Sequence, residues 1–163
     1  MKNVIFFRHG KSDWDTEEQS DHERPLKKRG VKASRKMGKY LKDTGFVPDV
    51  CITSSAQRAR ETLDVALEAT QWDVPVQVTD ELYEASPGGV LDVLHSIEDA
   101  VENVLVVGHE PSLSMTIRLL TGGTAVRFPT AAMARIDLEV DSWREVNQGT
   151  GTLVWLVLPK TLE

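Results

Sequence analysis

The chain has 163 residues, of which 40% are hydrophobic and 27% charged, a composition typical of one globular domain spanning residues 1–163 with its own core. No apolar run approaches the roughly 20 residues of a membrane helix, and the N-terminus has no signal-peptide pattern, so we expect no membrane contact and a cytoplasmic location. The net charge of −6 argues against nonspecific nucleic-acid binding. The single cysteine, Cys51, excludes an internal disulfide and a multi-cysteine zinc site.

The first two-thirds of the chain alternate between strand and helix patterns. Strands are predicted over residues 2–7, 50–53, 74–78 and 104–107 from their apolar runs. Helices are predicted to begin at Pro25, at Ser54 or Ser55, at Ser86-Pro87 and at Pro111, and glycines at 45 and 122 are expected to end the first and the last. The polar residues 12–23 are expected to form a loop.

The last forty residues have a different pattern. Residues 134–140 alternate between apolar and charged side chains, as in a half-exposed strand, and the continuous apolar run over residues 153–158 predicts a buried strand. Residues 143–146 are expected to pair between them as an arm of a hairpin. The chain is therefore predicted to be an α/β protein, a three-layer sandwich with a mostly parallel central sheet and antiparallel edge strands.

Arginines and histidines follow three of the predicted strands. The first strand leads into Arg8-His9-Gly10, the second into a helix whose first turn carries Arg58, and the fourth into Gly108-His109. Groups just past the carboxyl ends of parallel strands converge on one crevice, so we expect two imidazoles and two guanidiniums to meet there. Such a pocket suits an anion, most simply phosphate. Nearby cations would keep the imidazoles neutral, and a neutral imidazole is a competent nucleophile toward phosphorus.

Three motifs resemble those of the histidine phosphatase superfamily, which has the phosphoglycerate-mutase-like fold. They are Arg8-His9-Gly10, Ser54-Ser55-Ala56-Gln57-Arg58-Ala59-Arg60-Glu61-Thr62 and Val107-Gly108-His109-Glu110-Pro111, in the family's order. The resemblance implies that His9 is the phosphorylated nucleophile and that Arg8, Arg58 and His109 complete the phosphate pocket. It implies neither a metal nor an organic cofactor, and it implies inorganic phosphate as a product.

Within the superfamily, the chain resembles the SixA-type phosphohistidine phosphatases. The similarity lies in the short chain and in the segment Asp21-His22-Glu23-Arg24-Pro25-Leu26, and we include Gly10 and Arg24 among the candidate substrate-binding residues. The resemblance implies a phosphorylated protein as the substrate, with a small phosphate ester as the alternative. Glu84 stands where the family's ester hydrolases place a general acid, so ester hydrolysis stays open. Asp15 departs from the asparagine of the family's mutases and is expected to point away from phosphate.

Two further interpretations remain at this stage. A metallohydrolase would use His9, Asp13, His109 and Glu110 as ligands, although adjacent arginines oppose the binding of a metal cation. A non-catalytic phosphoprotein-binding module would keep the arginines but would have no need of two imidazoles. A basic helix face with Lys28 and Lys42 at its ends could attract an acidic partner, although solvated cations are usual on the exposed side of a helix.

Overall fold

The computed structural model describes residues 1–15 and 20–162. Six strands form one sheet: β1 Lys2–Arg8, β2 Val50–Ser54, β3 Val76–Thr79, β4 Asn103–Gly108, β5 Met133–Leu138 and β6 Gly151–Val157. The four longer helices are α1 Lys28–Thr44, α2 Gln57–Thr70, α3 Pro87–His95 and α4 Ser112–Thr121. In the part of the chain that the structure describes, no helix is long and apolar enough to cross a membrane.

The strand order is β3-β2-β4-β1-β5-β6. The first four strands in this order are parallel. β5 pairs with β1 in antiparallel fashion, and β6 pairs with β5 in the same fashion. A helix after each parallel strand supplies the crossover that parallel pairing requires. The predicted mostly parallel sheet with antiparallel strands at one side is confirmed.

The sheet is covered on both faces, because alternate residues of each central strand point to opposite sides. In β1, Val4 and Phe6 join the core formed with α3 and α4, whereas Ile5 and Phe7 join the core formed with α1 and α2. All four side chains are fully buried. The result is the expected three-layer sandwich, with the carboxyl ends of the parallel strands at one edge.

Two predictions for the C-terminal part are wrong. Residues 143–146 do not form a hairpin arm. Trp143–Glu145 is instead a 3-10 helix whose N-cap, Ser142, forms a capping box with Glu145. The Trp143 indole donates to the Val101 carbonyl at 2.7 Å. Residues 153–158 do not form a buried strand: β6 is the outermost strand, and the side chain of Val154 is 47% exposed. An apolar run alone does not distinguish a central strand from an edge strand.

The other differences are small shifts at element boundaries. The first helix begins at Lys28 rather than at Pro25, because Leu26 instead forms a bridge with Ser12. The third strand lies two residues later than predicted at its start. Gly45 and Gly122 do end their helices, each in the left-handed conformation with φ of 79°. Residues 16–19 of the predicted loop lie outside the described residues.

Glycine allows the two helices on one face of the sheet to pack closely. A Cβ atom added at Gly38 in α1 would lie 2.7 Å from the carbonyl oxygen and 2.8 Å from the Cα atom of Ala66 in α2. Both contacts are to backbone, so relief would require the helices to move apart. This packing holds α2, whose first turn carries Arg58, against α1.

We therefore expect Gly38→Ala to lower the free energy of unfolding by about 1–3 kcal/mol, the usual range for overpacking. Gly88→Ala is the matched control, because a Cβ there meets only the Ser86 hydroxyl at 3.6 Å. The control should change stability by less than about 1 kcal/mol. Urea unfolding of both variants measures the difference, and equal effects would contradict the packing argument.

Candidate active site

The ends of β1, β2 and β4 open into a cavity of about 390 Å³. In the parallel register Arg8 is opposite Gly108, so the residues that follow these strands, His9 and His109, emerge side by side. Their ring centroids are 5.1 Å apart. Six of the seven candidate site residues line this cavity: Arg8, His9, Arg24, Arg58, Glu84 and His109. The predicted convergence of two imidazoles and two guanidiniums is therefore present.

His9 is held as a neutral imidazole with one free nitrogen directed toward Arg58. Its Nδ1 lies 2.7 Å from the carbonyl oxygen of Gly10, which can only accept, so Nδ1 carries the proton. Its Nε2 accepts a long hydrogen bond of 3.4 Å from Arg58 Nε. Burial lowers the pKa of His9 to about 3, and the positive charges of Arg58 and Arg8 act in the same direction, against an opposing effect of the hydrogen bond with Gly10. Nε2 is therefore unprotonated at neutral pH, with its lone pair directed toward Arg58.

Gly10 positions the loop that carries His9. Its N–H donates to the Thr62 hydroxyl at 2.9 Å, and a Cβ atom at Gly10 would lie 2.8 Å from the carbonyl oxygen of Gly30 in α1. Because its N–H already has a partner, the geometry gives Gly10 a packing role rather than the substrate contact expected from the sequence. Close approach of the loop to α1 accounts for glycine at this position.

Arg8 forms part of the cavity wall beside His9. Its Nη1 donates to the carbonyl oxygen of Phe128 at 3.1 Å, and among the described residues its buried Nε has no hydrogen-bond partner. Burial lowers the pKa of Arg8, with a smaller opposing effect from Glu110. A partly buried guanidinium with an unpaired Nε donor favours an anionic ligand, because a buried donor is costly to leave unpaired.

His109 is fixed by a serine at the end of β2. Its Nε2 lies 2.8 Å from Ser54 Oγ, and the same oxygen accepts from the N–H of Ala56 at the start of α2. Burial lowers the pKa of His109 to about 4, and Arg58 adds to the shift. The sequence predicted Ser54 or Ser55 as the cap of this helix. That prediction is wrong, because Ala56 is the N-cap of α2, and Ser54 instead ends β2 and orients the second histidine.

Asp21 joins three of the side chains that line the cavity. Its Oδ2 accepts from Arg58 Nη2 at 3.2 Å and from the Tyr83 hydroxyl at 2.6 Å, and its Oδ1 accepts from Arg24 Nε at 3.0 Å. The hydrogen bond from Tyr83 and the charges of Arg58 and Arg24 lower the pKa of Asp21 to about 2, and the same carboxylate raises the pKa of Tyr83 to about 12. Asp21 thus aligns two guanidiniums as an ionised carboxylate.

Sequence reasoning did not select Asp21 or Tyr83 as site residues. Asp21 belongs to a 3-10 helix, Asp21–Glu23, and Tyr83 follows another, Asp80–Leu82, so neither extends a recognisable strand or helix pattern. The sequence signal that could have found Asp21 is its position three residues before Arg24. The two side chains form an ion pair, with 3.0 Å between Arg24 Nη2 and Asp21 Oδ1. Arg24 also stacks on the exposed Trp14 ring, with its Cζ 3.4 Å from the ring centroid.

Two glutamates line the cavity wall: Glu84 is exposed, and Glu110 is hydrogen-bonded to the backbone of α4. Glu84 is exposed and has a φ of 54°, in the left-handed region that side-chain-bearing residues seldom adopt. Glu110 Oε1 accepts from the N–H of Ser114 at 2.7 Å, in the first turn of α4. Asp15 is exposed, and its N–H donates to Asp13.

The metallohydrolase interpretation lacks a suitable set of ligands. Within residues 1–15 and 20–162, no three His, Cys, Asp or Glu side chains are grouped so that they could hold a metal ion. Asp13 accepts from the N–H of Asp15, and Glu110 accepts from the backbone of α4. Three arginines at the same cavity further oppose a bound cation.

Comparison with known proteins identifies the family. The family model for the histidine phosphatase superfamily (branch 1) matches residues 4–96. The chain belongs to the histidine phosphatase superfamily. An uncharacterized protein of Mycobacterium tuberculosis is 32% identical, over 94% of this chain and 99% of that protein. The superfamily resemblance carried by the three sequence motifs is therefore confirmed, and the protein is an enzyme of the phosphatase class.

Solved structures show the same fold. The structure of the protein histidine phosphatase SixA complexed with tungstate has a TM-score of 0.85 and 29% identity, covering 99% of both chains. The α-ribazole phosphatase from Shigella flexneri has a TM-score of 0.67 and 19% identity, covering 96% of both chains. The second likeness concerns the fold alone. The first agrees with the resemblance to SixA-type proteins.

The buried histidines predict how stability depends on pH. In the unfolded chain a histidine takes up a proton below about pH 6.5, whereas folded His9 and His109 stay neutral down to about pH 3 and 4. Between those limits the unfolded state binds more protons, so stability falls as the pH is lowered, by up to about 1.4 kcal/mol per pH unit for each histidine. Urea unfolding between pH 7 and pH 5 should show this loss.

The double variant His9→Gln/His109→Gln supplies the comparison, because glutamine does not titrate. Its stability should decline less steeply over the same pH interval than that of the wild type. Identical slopes in the two proteins would mean that these histidines are already protonated in the folded state.

Proposed function

We propose that this protein removes phosphoryl groups from phosphohistidine in proteins, through a covalent phosphohistidine intermediate at His9. The observation that carries the proposal is the state of His9: a neutral imidazole whose Nδ1 is bound to the Gly10 carbonyl and whose Nε2 contacts Arg58. The 29% identity to a SixA protein histidine phosphatase, over 99% of both chains, supports the choice of substrate.

The first step transfers the phosphoryl group to His9. The Nε2 lone pair forms a bond to phosphorus as the bond from phosphorus to the leaving group breaks, and Nδ1 keeps its proton throughout. The positive charge that this creates on the ring is stabilised by the Gly10 carbonyl at 2.7 Å. Arg8 and Arg58, with Arg24 beside them, offset the charge on the equatorial phosphoryl oxygens.

The second step returns His9 to its starting state. Water attacks phosphorus, the bond to Nε2 breaks with its electrons returning to the ring, and the water proton ends on the product phosphate. His9 leaves this step neutral, with its proton still on Nδ1. Because both steps use charges supplied by the chain's own arginines, they require neither a metal nor an organic cofactor.

A small-molecule phosphomonoesterase of the same superfamily is the second candidate, and Glu84 is the observation that favours it. Glu84 lies on the wall of the cavity that contains His9. Expulsion of an alkoxide from an ester needs a proton donor, and a carboxylic acid at this place could provide it. Imidazole, in contrast, can leave already protonated.

The intermediate gives the first test. Brief incubation with a labelled phosphohistidine protein, followed by an alkaline quench, should give an acid-labile phosphoenzyme, and EDTA should not reduce turnover. His9→Ala should lose both label and turnover. Arg60→Ala is the control, because Arg60 is exposed and donates to the Ser55 carbonyl at 3.0 Å, and it does not line the active-site cavity as the structure describes it. Label retained by the His9 variant would contradict the assignment, and phosphate binding without turnover by the wild type would favour a binding module.

The choice between the two substrates gives the second test. Glu84→Gln should reduce hydrolysis of alkyl phosphate esters by about 100-fold, the lower range for loss of a general acid, but should change phosphohistidine hydrolysis much less. Steady-state kinetics on a phosphohistidine protein and a sugar phosphate measure both effects. A wild-type enzyme that prefers the sugar phosphate over every phosphohistidine protein tested would favour the esterase. Equal losses in the variant would show that Glu84 is not the proton donor for the ester.

A further inference from the structure

Two further surface cavities extend from the active site toward α1. The first, of about 420 Å³, shares Glu110 with the active-site cavity and is lined by Arg127, Phe128 and Lys160 among others. The second, of about 270 Å³, shares Lys160 with the first and is also lined by Arg29, Lys32 and Lys36. The surface from the phosphate pocket to α1 is therefore continuous.

Five cations lie along this surface: Arg29, Lys32, Lys36, Arg127 and Lys160, here called the basic rim. Glu110 is the one carboxylate among the described residues that line the two cavities, and its Oε1 is bound to the Ser114 N–H. Within residues 1–15 and 20–162 no member of the rim takes part in an ion pair. This concentration of positive charge occurs in a chain of net charge −6.

The solvated side of an amphipathic helix does not account for the rim. Arg29, Lys32 and Lys36 belong to α1, but Arg127 precedes β5 and Lys160 belongs to the C-terminal 3-10 helix, Pro159–Thr161. Lys36 donates to the carbonyl oxygen of Leu162 at 2.9 Å, which ties this 3-10 helix to α1. Three separate parts of the chain thus bring their cations together next to the phosphate pocket.

We propose that the basic rim binds the acidic surface of a phosphorylated protein whose phosphohistidine occupies the active-site cavity. This inference rests on the proposed function. The phosphoryl group fixes one point of the substrate at His9, and the adjoining cavity begins at the wall of that pocket, so the partner's surface beside the phosphohistidine can contact the rim. Positive side chains on the partner's surface would be repelled by the basic rim, and negative side chains would be attracted to it. The rim therefore selects acidic partners and speeds their encounter with the enzyme.

Protein is the better match among polyanions. Single-stranded nucleic acids usually require exposed aromatic rings on which bases can stack. The one aromatic side chain among the described residues lining the two cavities is Phe128, which is only 4% exposed. The rim therefore offers charge without a stacking surface.

A charge-matched pair of variants tests the inference. The rim variant carries Gln at Arg29, Lys32, Arg127 and Lys160, which are all exposed, and leaves Lys36 because it holds the C-terminal turn. The control variant carries Gln at four exposed cations elsewhere, Arg35, Lys39, Lys42 and Arg144. Both variants lose four positive charges, so any difference between them reflects position.

The measured quantity is the ratio of kcat/KM for an acidic histidine-phosphorylated carrier protein to kcat/KM for free phosphohistidine. At about 20 mM salt the rim variant should lower this ratio by about tenfold or more, mainly through KM, and the control should lower it much less. At about 0.5 M salt the two variants and the wild type should converge, because screening removes the attraction.

Three results would overturn the inference. Equal reductions in the two variants would show an effect of net charge rather than of the rim. An unchanged ratio, accompanied by lost binding of a single-stranded oligonucleotide, would assign the rim to nucleic acid. A wild type that hydrolyses neither phosphohistidine substrate would refute the proposed function itself, and the inference would fall with it, whereas the first two results leave that function intact.

Discussion

The parallel register between β1 and β4 is the constraint on which the site depends. Arg8 pairs with Gly108, so each strand ends at the same level and the next residue of each is a histidine. The fully buried side chains of both strands fix this register, because a shift of one strand by one residue would exchange the side chains that fill the two cores. Two imidazoles with centroids 5.1 Å apart are thus a product of core packing.

The histidines and the arginines of the site limit the repulsion between positive charges in two different ways. The two histidines avoid like-charge repulsion by staying neutral, since burial and adjacent cations depress both of their pKa values. The arginines cannot respond in this way, because a guanidinium does not lose its proton in proteins. Asp21 instead supplies a fixed negative charge to Arg58 and Arg24, and Tyr83 holds that carboxylate in place. The result is a cationic cavity whose shape is defined before substrate enters.

The parts of this site that follow regular patterns could be predicted from the sequence. Arg8, His9 and His109 follow apolar runs, and Arg58 lies in the first turn of an amphipathic helix, so strand and helix periodicity was enough to bring them together. Asp21 and Tyr83 could not be found in this way, because Asp21 begins one short 3-10 helix and Tyr83 follows another, and the position of such helices depends on tertiary contacts. The exposure of β6 was missed for a related reason: strand order, which decides burial, is not encoded in the composition of one strand.

A phosphate dianion entering this cavity would change the balance that keeps the histidines neutral. The positive charges of Arg58 and Arg8 help to depress the pKa of His109, and two negative charges nearby would offset much of their effect. Burial would still oppose protonation, so the shift upward would be partial. The bound dianion and the arginines would then balance each other's charge, whereas in the free site the two histidines reduce the repulsion by staying neutral.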